Sequence, residues 1–135
     1  MRICAAIVAG GRSSRMGREK AFKLVRGQTI IERISSVLSG QAEAIVLNAN
    51  GDTARFAHLG LPIIADARSD IGTPLAGVHT ALIHARDLGF DAVLTTPSDV
   101  PFLPSDLVQR LAAASCRAAI AAGLGELAGE LALGI

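Results

Sequence analysis

The residues Ile3-Cys4-Ala5-Ala6-Ile7-Val8 lead without a break into Ala9-Gly10-Gly11-Arg12-Ser13-Ser14-Arg15-Met16-Gly17-Arg18-Glu19-Lys20. An apolar run of this length ending at glycines reads as a short buried strand. Two adjacent glycines and a third at position 17 let the backbone turn sharply and present its N–H groups to a ligand with no Cβ in the way. Cations at 12, 15, 18 and 20 then supply charge for several phosphate oxygens. Together they predict a nucleoside triphosphate site at the end of a first β-strand. Two familiar phosphate loops do not fit. Five residues stand between Gly11 and Gly17 and Arg18 follows, whereas a P-loop has four residues between its glycines and continues Lys-Ser/Thr. The adjacent pair Gly10-Gly11 also breaks the dinucleotide pattern G-x-G-x-x-G.

Outward from this junction the chain alternates between the two periods. Thr29 to Leu38 carries apolar residues at 30, 31, 34, 37 and 38, a helical stripe closed by Gly40. Ala44–Leu47 reads as a second strand, followed by the turn signal Asn48-Ala49-Asn50-Gly51. A short helix over Asp52–His58 and a third strand over Pro62–Ala65 come next. Thr73 caps a helix with Pro74 at its first position and apolar residues at 75, 78, 82 and 85, ended by Gly89. Ala92–Thr96 is a fourth strand, Ser105–Ala114 another helix, and Ala118–Ala122 a fifth strand. Strands alternating with helices predict an α/β fold: a doubly wound, mostly parallel sheet with helices on both faces. Ligands of such sheets bind beyond the carboxyl ends of the strands. The glycine loop, Asn48, Asp66 and Asp99 each follow a strand there, which predicts one shared site.

Composition bounds the function. The 135 residues make one domain, half of it hydrophobic but only 3% aromatic, so the core is built of Ala, Val, Leu and Ile. Net charge is +1, which gives no case for a nucleic-acid partner, yet Arg12, Arg15, Arg18, Lys20, Lys23 and Arg26 face only Glu19 between positions 12 and 26. That local excess suits a small polyanion. Cys4 and Cys116 offer neither a disulfide framework nor metal spacing, and both read as inert core thiols. The N-terminal apolar run leads into cations instead of a cleavage site, and no membrane span is expected, so the reading is a cytoplasmic protein. His58, His79 and His84 form no ligand pattern; 79 and 84 are five apart and face different sides of a helix.

A second motif lies in Thr96-Pro97-Ser98-Asp99-Val100-Pro101-Phe102-Leu103-Pro104. A carboxylate just past a buried strand, between rigidifying prolines, suits Mg²⁺, which takes one or two protein carboxylates and completes its shell with phosphate and water. Asp99 is therefore the expected metal ligand, and Lys20 and Arg15 would neutralise the β- and γ-phosphates of the bound triphosphate. Arg12 and Arg18 are read as solvated or assisting.

The opening segment resembles the signature L-A-G-G-x-S-x-R-M-G-x-D-K of nucleotidyltransferases that attach a nucleoside monophosphate to a phosphorylated acceptor, and among them the molybdenum cofactor guanylyltransferases. Eight of ten specified positions match, with Val8 and Glu19 as conservative exchanges. The segment around Asp99 resembles the family's Pro-Cys-Asp-x-Pro-Phe-Leu, with Ser98 for cysteine, and Gly72-Thr73-Pro74-Leu75-Ala76-Gly77 resembles Gly-Pro-Leu-Ala-Gly. The resemblance implies a Rossmann-like fold and a nucleotide lying against Val8, Ala9, Gly10, Gly11 and Lys20, with Asn48 and Asp66 contacting guanine and ribose. It implies transfer of GMP from GTP to a molybdopterin-type molybdenum cofactor. The Gly10-Gly11 pair matches guanine-transferring relatives. Cytidylyl or other nucleotidyl transfer, and a non-catalytic nucleotide-binding module, are the alternatives. Relatives continue for further strands, whereas residues 118–135 form an apolar tail with glutamates only at 126 and 130. That tail reads as atypical and shortened, and the oligomeric state is left open.

Overall fold

Strand β1 (Ile3–Val8) forms the middle of a six-stranded sheet in the computed structural model, which describes residues 2–9, 21–51, 53–67, 74–100, 102–114, 118–121 and 130–134. Its neighbours are β4 (Ala44–Asn48) on one side and β6 (Ala92–Pro97) on the other, both parallel to it. β5 (Ile63–Ile64) extends the parallel set beyond β4. β8 (Glu130–Gly134) runs antiparallel to β6, and β7 (Ala118–Ala121) pairs antiparallel with β8, giving the order β5-β4-β1-β6-β8-β7. Sequence reading places a strand over 118–122 but none over 130–134. The alternation of Leu131 and Leu133 about Ala132 carries the period of a strand, and register sets these leucines opposite Thr95 and Val93.

The strand pleat sorts side chains to two faces. Ala5 and Ile7 of β1, Leu47 and Leu94 join one core with helix α1 (Ile30–Ser39) and Leu107 of α3 (Leu107–Ala114). Cys4 and Ala6 point the other way and pack with Val46, Val93 and Phe90 against Ala81 and Ala85 of α2 (Pro74–Asp87). Helices therefore cover both faces, as the alternation predicts. No helix among the described residues is long and apolar enough to cross a membrane.

Local sequence explains the element ends. Thr29 caps α1: its side chain accepts from the Glu32 N–H (3.2 Å) while Glu32 accepts from the Thr29 N–H (3.3 Å), a reciprocal capping box. Ahead of it β2 (Leu24–Val25) and β3 (Gln28–Thr29) form a hairpin that the sequence reading missed. Its two-residue loop has Arg26 at φ 53° and Gly27 at φ 85°, the left-handed pair that a tight hairpin needs. The expected helix over 52–58 is instead a 3₁₀ segment, Ala54–Leu59, stopped by Gly60 at φ 68°. Six residues hold Phe56 in the core through the tighter turn.

Helix α2 keeps its expected stripe at Ala85 but departs from it at Val78 and Leu82. Its most buried side chains are Ala76, Thr80, Ala81 and Ala85, with Gly77 among them, whereas Val78 and Leu82 are half-buried. The helix lies so close to the sheet that only small residues occupy the contact line, and the larger ones flank it.

Candidate nucleotide-binding site

The register aligns the carboxyl ends of the four parallel strands. Val8 of β1 stands opposite Asn48 of β4 and Pro97 of β6, and Asn48 stands opposite Ile64 of β5. Each strand then releases a loop at the same sheet edge: Ala9 into the glycine-rich segment, Asn50-Gly51 after β4, Asp66 after β5 and Ser98-Asp99 after β6. Gly10, Gly11, Arg15 and Lys20 lie outside the described residues, as do Gly72 and Thr73. Both flanks of the glycine segment are anchored, because Ala9 and Ala21 are buried in the core that also holds α1. Ala9 donates its N–H to the Asn48 carbonyl at 2.8 Å. Beyond Ala21, Phe22 stacks on Phe56 at 5.5 Å between centroids and lies under the Arg55 guanidinium at 4.9 Å.

Asn48 is not a turn residue but the last residue of β4, fully buried. Its Nδ2 donates to the Ile64 carbonyl (3.3 Å) and to Asp66 Oδ1 (2.8 Å). Two acceptors on that side fix the amide orientation and leave Oδ1 facing α2, buried and without a partner among the described residues. Gly77 makes this possible: an added Cβ there would stand 2.5 Å from Asn48 Oδ1 and 2.7 Å from Val8 Cγ1. Asn50, which sequence reading passed over as part of a turn, completes the arrangement. It donates to Asp66 Oδ2 at 2.9 Å and accepts from the Asp66 N–H at 2.8 Å. Thr80 then accepts from the Ala67 N–H at 2.8 Å while donating to the Ala76 carbonyl. The spacing Asn48-x-Asn50 just past a strand was the available signal for this clamp.

Asp99 lies at the other end of the row. Strand order puts β5 and β6 three positions apart, so the strand ends that lead to Asp66 and Asp99 stand about 14 Å apart at ~4.8 Å per strand. Asp99 is half-buried, and among the described residues its carboxylate has no hydrogen-bond or ion-pair partner. No group of three or more His, Cys, Asp or Glu gathers there among the described residues. A single uncommitted carboxylate fits Mg²⁺, which needs few protein ligands, and would not fit a zinc site. The histidines stay out of the row: His58 pairs with Glu32 at 3.4 Å, and His79 Nδ1 is buried on α2. Cys4 is fully buried, and burial pushes its thiol up to about 11, consistent with an inert core residue; Cys116 lies outside the described residues.

The family model of the MobA-like NTP transferase domain matches residues 5–130. The chain belongs to this family. A molybdenum cofactor guanylyltransferase of Rhodobacter capsulatus is 47% identical over 116 residues, covering 85% of this chain and 60% of that protein. One from Rhodopseudomonas palustris is 44% identical over 110 residues, covering 79% of this chain and 52% of that protein. The chain thus spans 52–60% of the length of these two relatives. A molybdopterin-guanine dinucleotide biosynthesis protein A from Archaeoglobus fulgidus has the same fold at TM-score 0.65 and 24% identity, covering 96% of this chain and 67% of that one. A nucleotidyl transferase from Methanothermobacter thermautotroptrophicus superposes at TM-score 0.67 with 23% identity, covering 98% and 71%. Family membership and the Rossmann-like nucleotidyltransferase fold agree with the motif resemblance.

Proposed function

We propose that this chain binds GTP along the carboxyl edge of its parallel strands and transfers GMP to the phosphate of a molybdopterin-type molybdenum cofactor, releasing pyrophosphate. The observation that carries the reading is the half-buried amide clamp on Asp66 at the carboxyl edge of the parallel strands. It holds an acceptor-only carboxylate at one end of the row, suited to the N–H groups of a base or the hydroxyls of ribose. Asp99 stands at the far end, at a separation comparable to an extended nucleoside triphosphate. Between them the chain leaves β1 at Val8 and Ala9 for the segment containing Gly10, Gly11, Arg15 and Lys20.

In this reading the backbone at Val8 to Gly11 receives the nucleotide, and Arg15 and Lys20 hold the β- and γ-phosphates. Asp99 would hold Mg²⁺, which offsets charge on the triphosphate. An acceptor phosphate oxygen attacks the α-phosphorus in line, the bond to the β-phosphate oxygen breaks, and pyrophosphate carries away the electron pair. The chain's part is orientation and charge balance, which accounts for the lack of a nucleophile in the motifs. Guanine is favoured by the Gly10-Gly11 pair and by the guanylyltransferase names of relatives above 40% identity.

The test is pyrophosphate release with the molybdopterin acceptor, comparing GTP, CTP and ATP with and without Mg²⁺. Release from GTP, dependent on both acceptor and metal, is expected. Preference for CTP or ATP would overturn the guanine assignment, and tight GTP binding without release would make the chain a binding module.

A further inference from the structure

Asp66 is held from two sides by two different asparagines. Asn48 reaches Oδ1 from within β4, where it is also tied to the Ile64 carbonyl and covered by α2. Asn50 reaches Oδ2 and in addition accepts the N–H of Asp66 itself. Those two contacts from one amide fix both the carboxylate and the backbone that bears it, so Asp66 has little freedom to rotate about χ1. Gly51 at φ 71° turns the chain directly after Asn50 and lets that side chain fold back toward β5. Asn48 is locked into the core and can move only with the sheet, whereas Asn50 is half-buried in the loop at the site.

Resting on the guanine-nucleotide reading above, we propose that Asn50 is a positioning residue: it aims the Asp66 carboxylate at the nucleoside half of the ligand and so governs nucleoside affinity without governing phosphate affinity. Each carboxylate oxygen keeps lone pairs beyond those the two amides use, and these point where the amides do not. With Asn50 gone, one oxygen loses a charge-assisted donor and the Asp66 N–H loses its acceptor, so the carboxylate swings and its remaining acceptor sites no longer converge on one ligand. Asp99 follows β6, at the other end of the row of parallel strands from Asp66, and is not touched by this change.

The experiment is a double-substitution cycle on the full chain, Asn50→Ala, Asp66→Ala and both together. It reads equilibrium affinity for Mg²⁺-GTP and, separately, for inorganic tripolyphosphate, which engages only the phosphate end. Thermal unfolding is recorded for each variant. Asn50→Ala is expected to weaken GTP binding roughly tenfold, in line with losing a hydrogen bond to a charged group, while leaving tripolyphosphate affinity unchanged. In the Asp66→Ala background, adding Asn50→Ala should cost nothing further. Unaltered GTP affinity in Asn50→Ala, an equal loss for tripolyphosphate, or a full second loss on top of Asp66→Ala would each overturn the role. Failure of the underlying site looks different: Asp66→Ala would bind GTP as the parent does, or the parent would prefer CTP or ATP.

Discussion

Replacing Gly77 by Ala tests the close approach on which the site's geometry depends. In an open helix this exchange stabilises by about 1 kcal/mol, since Ala is the better helix former. Here the new methyl would lie 2.5 Å from Asn48 Oδ1 and 2.7 Å from Val8 Cγ1, where ordinary contacts begin near 3.4 Å. Neither neighbour can yield cheaply. Asn48 is fully buried and tied to Ile64 and Asp66, and Val8 is a paired residue of the central strand. Either α2 lifts from the sheet or Asn48 turns and drops its bonds, an overpacking cost of about 1–3 kcal/mol. Set against the propensity gain, a net loss of up to about 2 kcal/mol is expected, lowering the unfolding midpoint by as much as several degrees. Because the displaced group holds Asp66, GTP affinity should fall with it. Urea unfolding and GTP titration measure both effects. Gly40→Ala is the control, because its added Cβ meets nothing within 4 Å and Gly40 already has φ −88°. A Gly77→Ala protein as stable as its parent, binding GTP equally well, would refute the packing argument.

Other outcomes follow from the same geometry. Lys20→Ala should weaken binding of both GTP and tripolyphosphate by about tenfold or more, and unchanged tripolyphosphate affinity would remove Lys20 from the phosphate loop. Asp99→Asn should remove the Mg²⁺ enhancement of GTP binding and abolish Mg²⁺-dependent turnover while sparing metal-free nucleotide binding; a variant with the parent's metal response would take Asp99 out of the role. The Cys4 thiol, raised from 9.0 to about 11 by burial, stays protonated in the folded chain over a range where the unfolded chain ionises. Its contribution to stability is therefore complete below about pH 9 and is lost as pH climbs toward 11. The parent should lose stability over that window by about 2 kcal/mol more than Cys4→Ala, measured by urea unfolding at stepped pH. Identical pH slopes in the two proteins would count against it.

Much of the architecture was legible because it depends on local patterns. Apolar runs of strand length, the capping box at Thr29 and Glu32, and the stop at Gly40 are written in neighbouring residues, so α1 and the four parallel strands fall where the periods place them. On α2 the stripe held at Ala85 but not at Val78 and Leu82, because a period ranks residues by hydrophobicity whereas the contact line there selects for smallness. Strand β8 was missed because residues 118–135 read as one apolar tail, although Leu131 and Leu133 alternate with strand period and β8 pairs with the adjacent β7 as well as with β6. The hairpin at Arg26-Gly27 was missed because its strands are two residues each, too short for alternation to show.

The candidate site divides in the same way. Gly10, Gly11, Lys20 and Asp99 declare themselves in two linear motifs, since the proposed phosphate and metal contacts come from contiguous residues that are read in order. The Asn48–Asp66–Asn50 clamp does not, because its members come from two strand ends that only sheet pairing brings together. Local chemistry thus specified which groups the chain offers a ligand. Long-range pairing and the close seat of α2 specified which carboxylate is held rigid and where it points, since hydrogen-bond geometry between distant segments exists only once the backbone has folded.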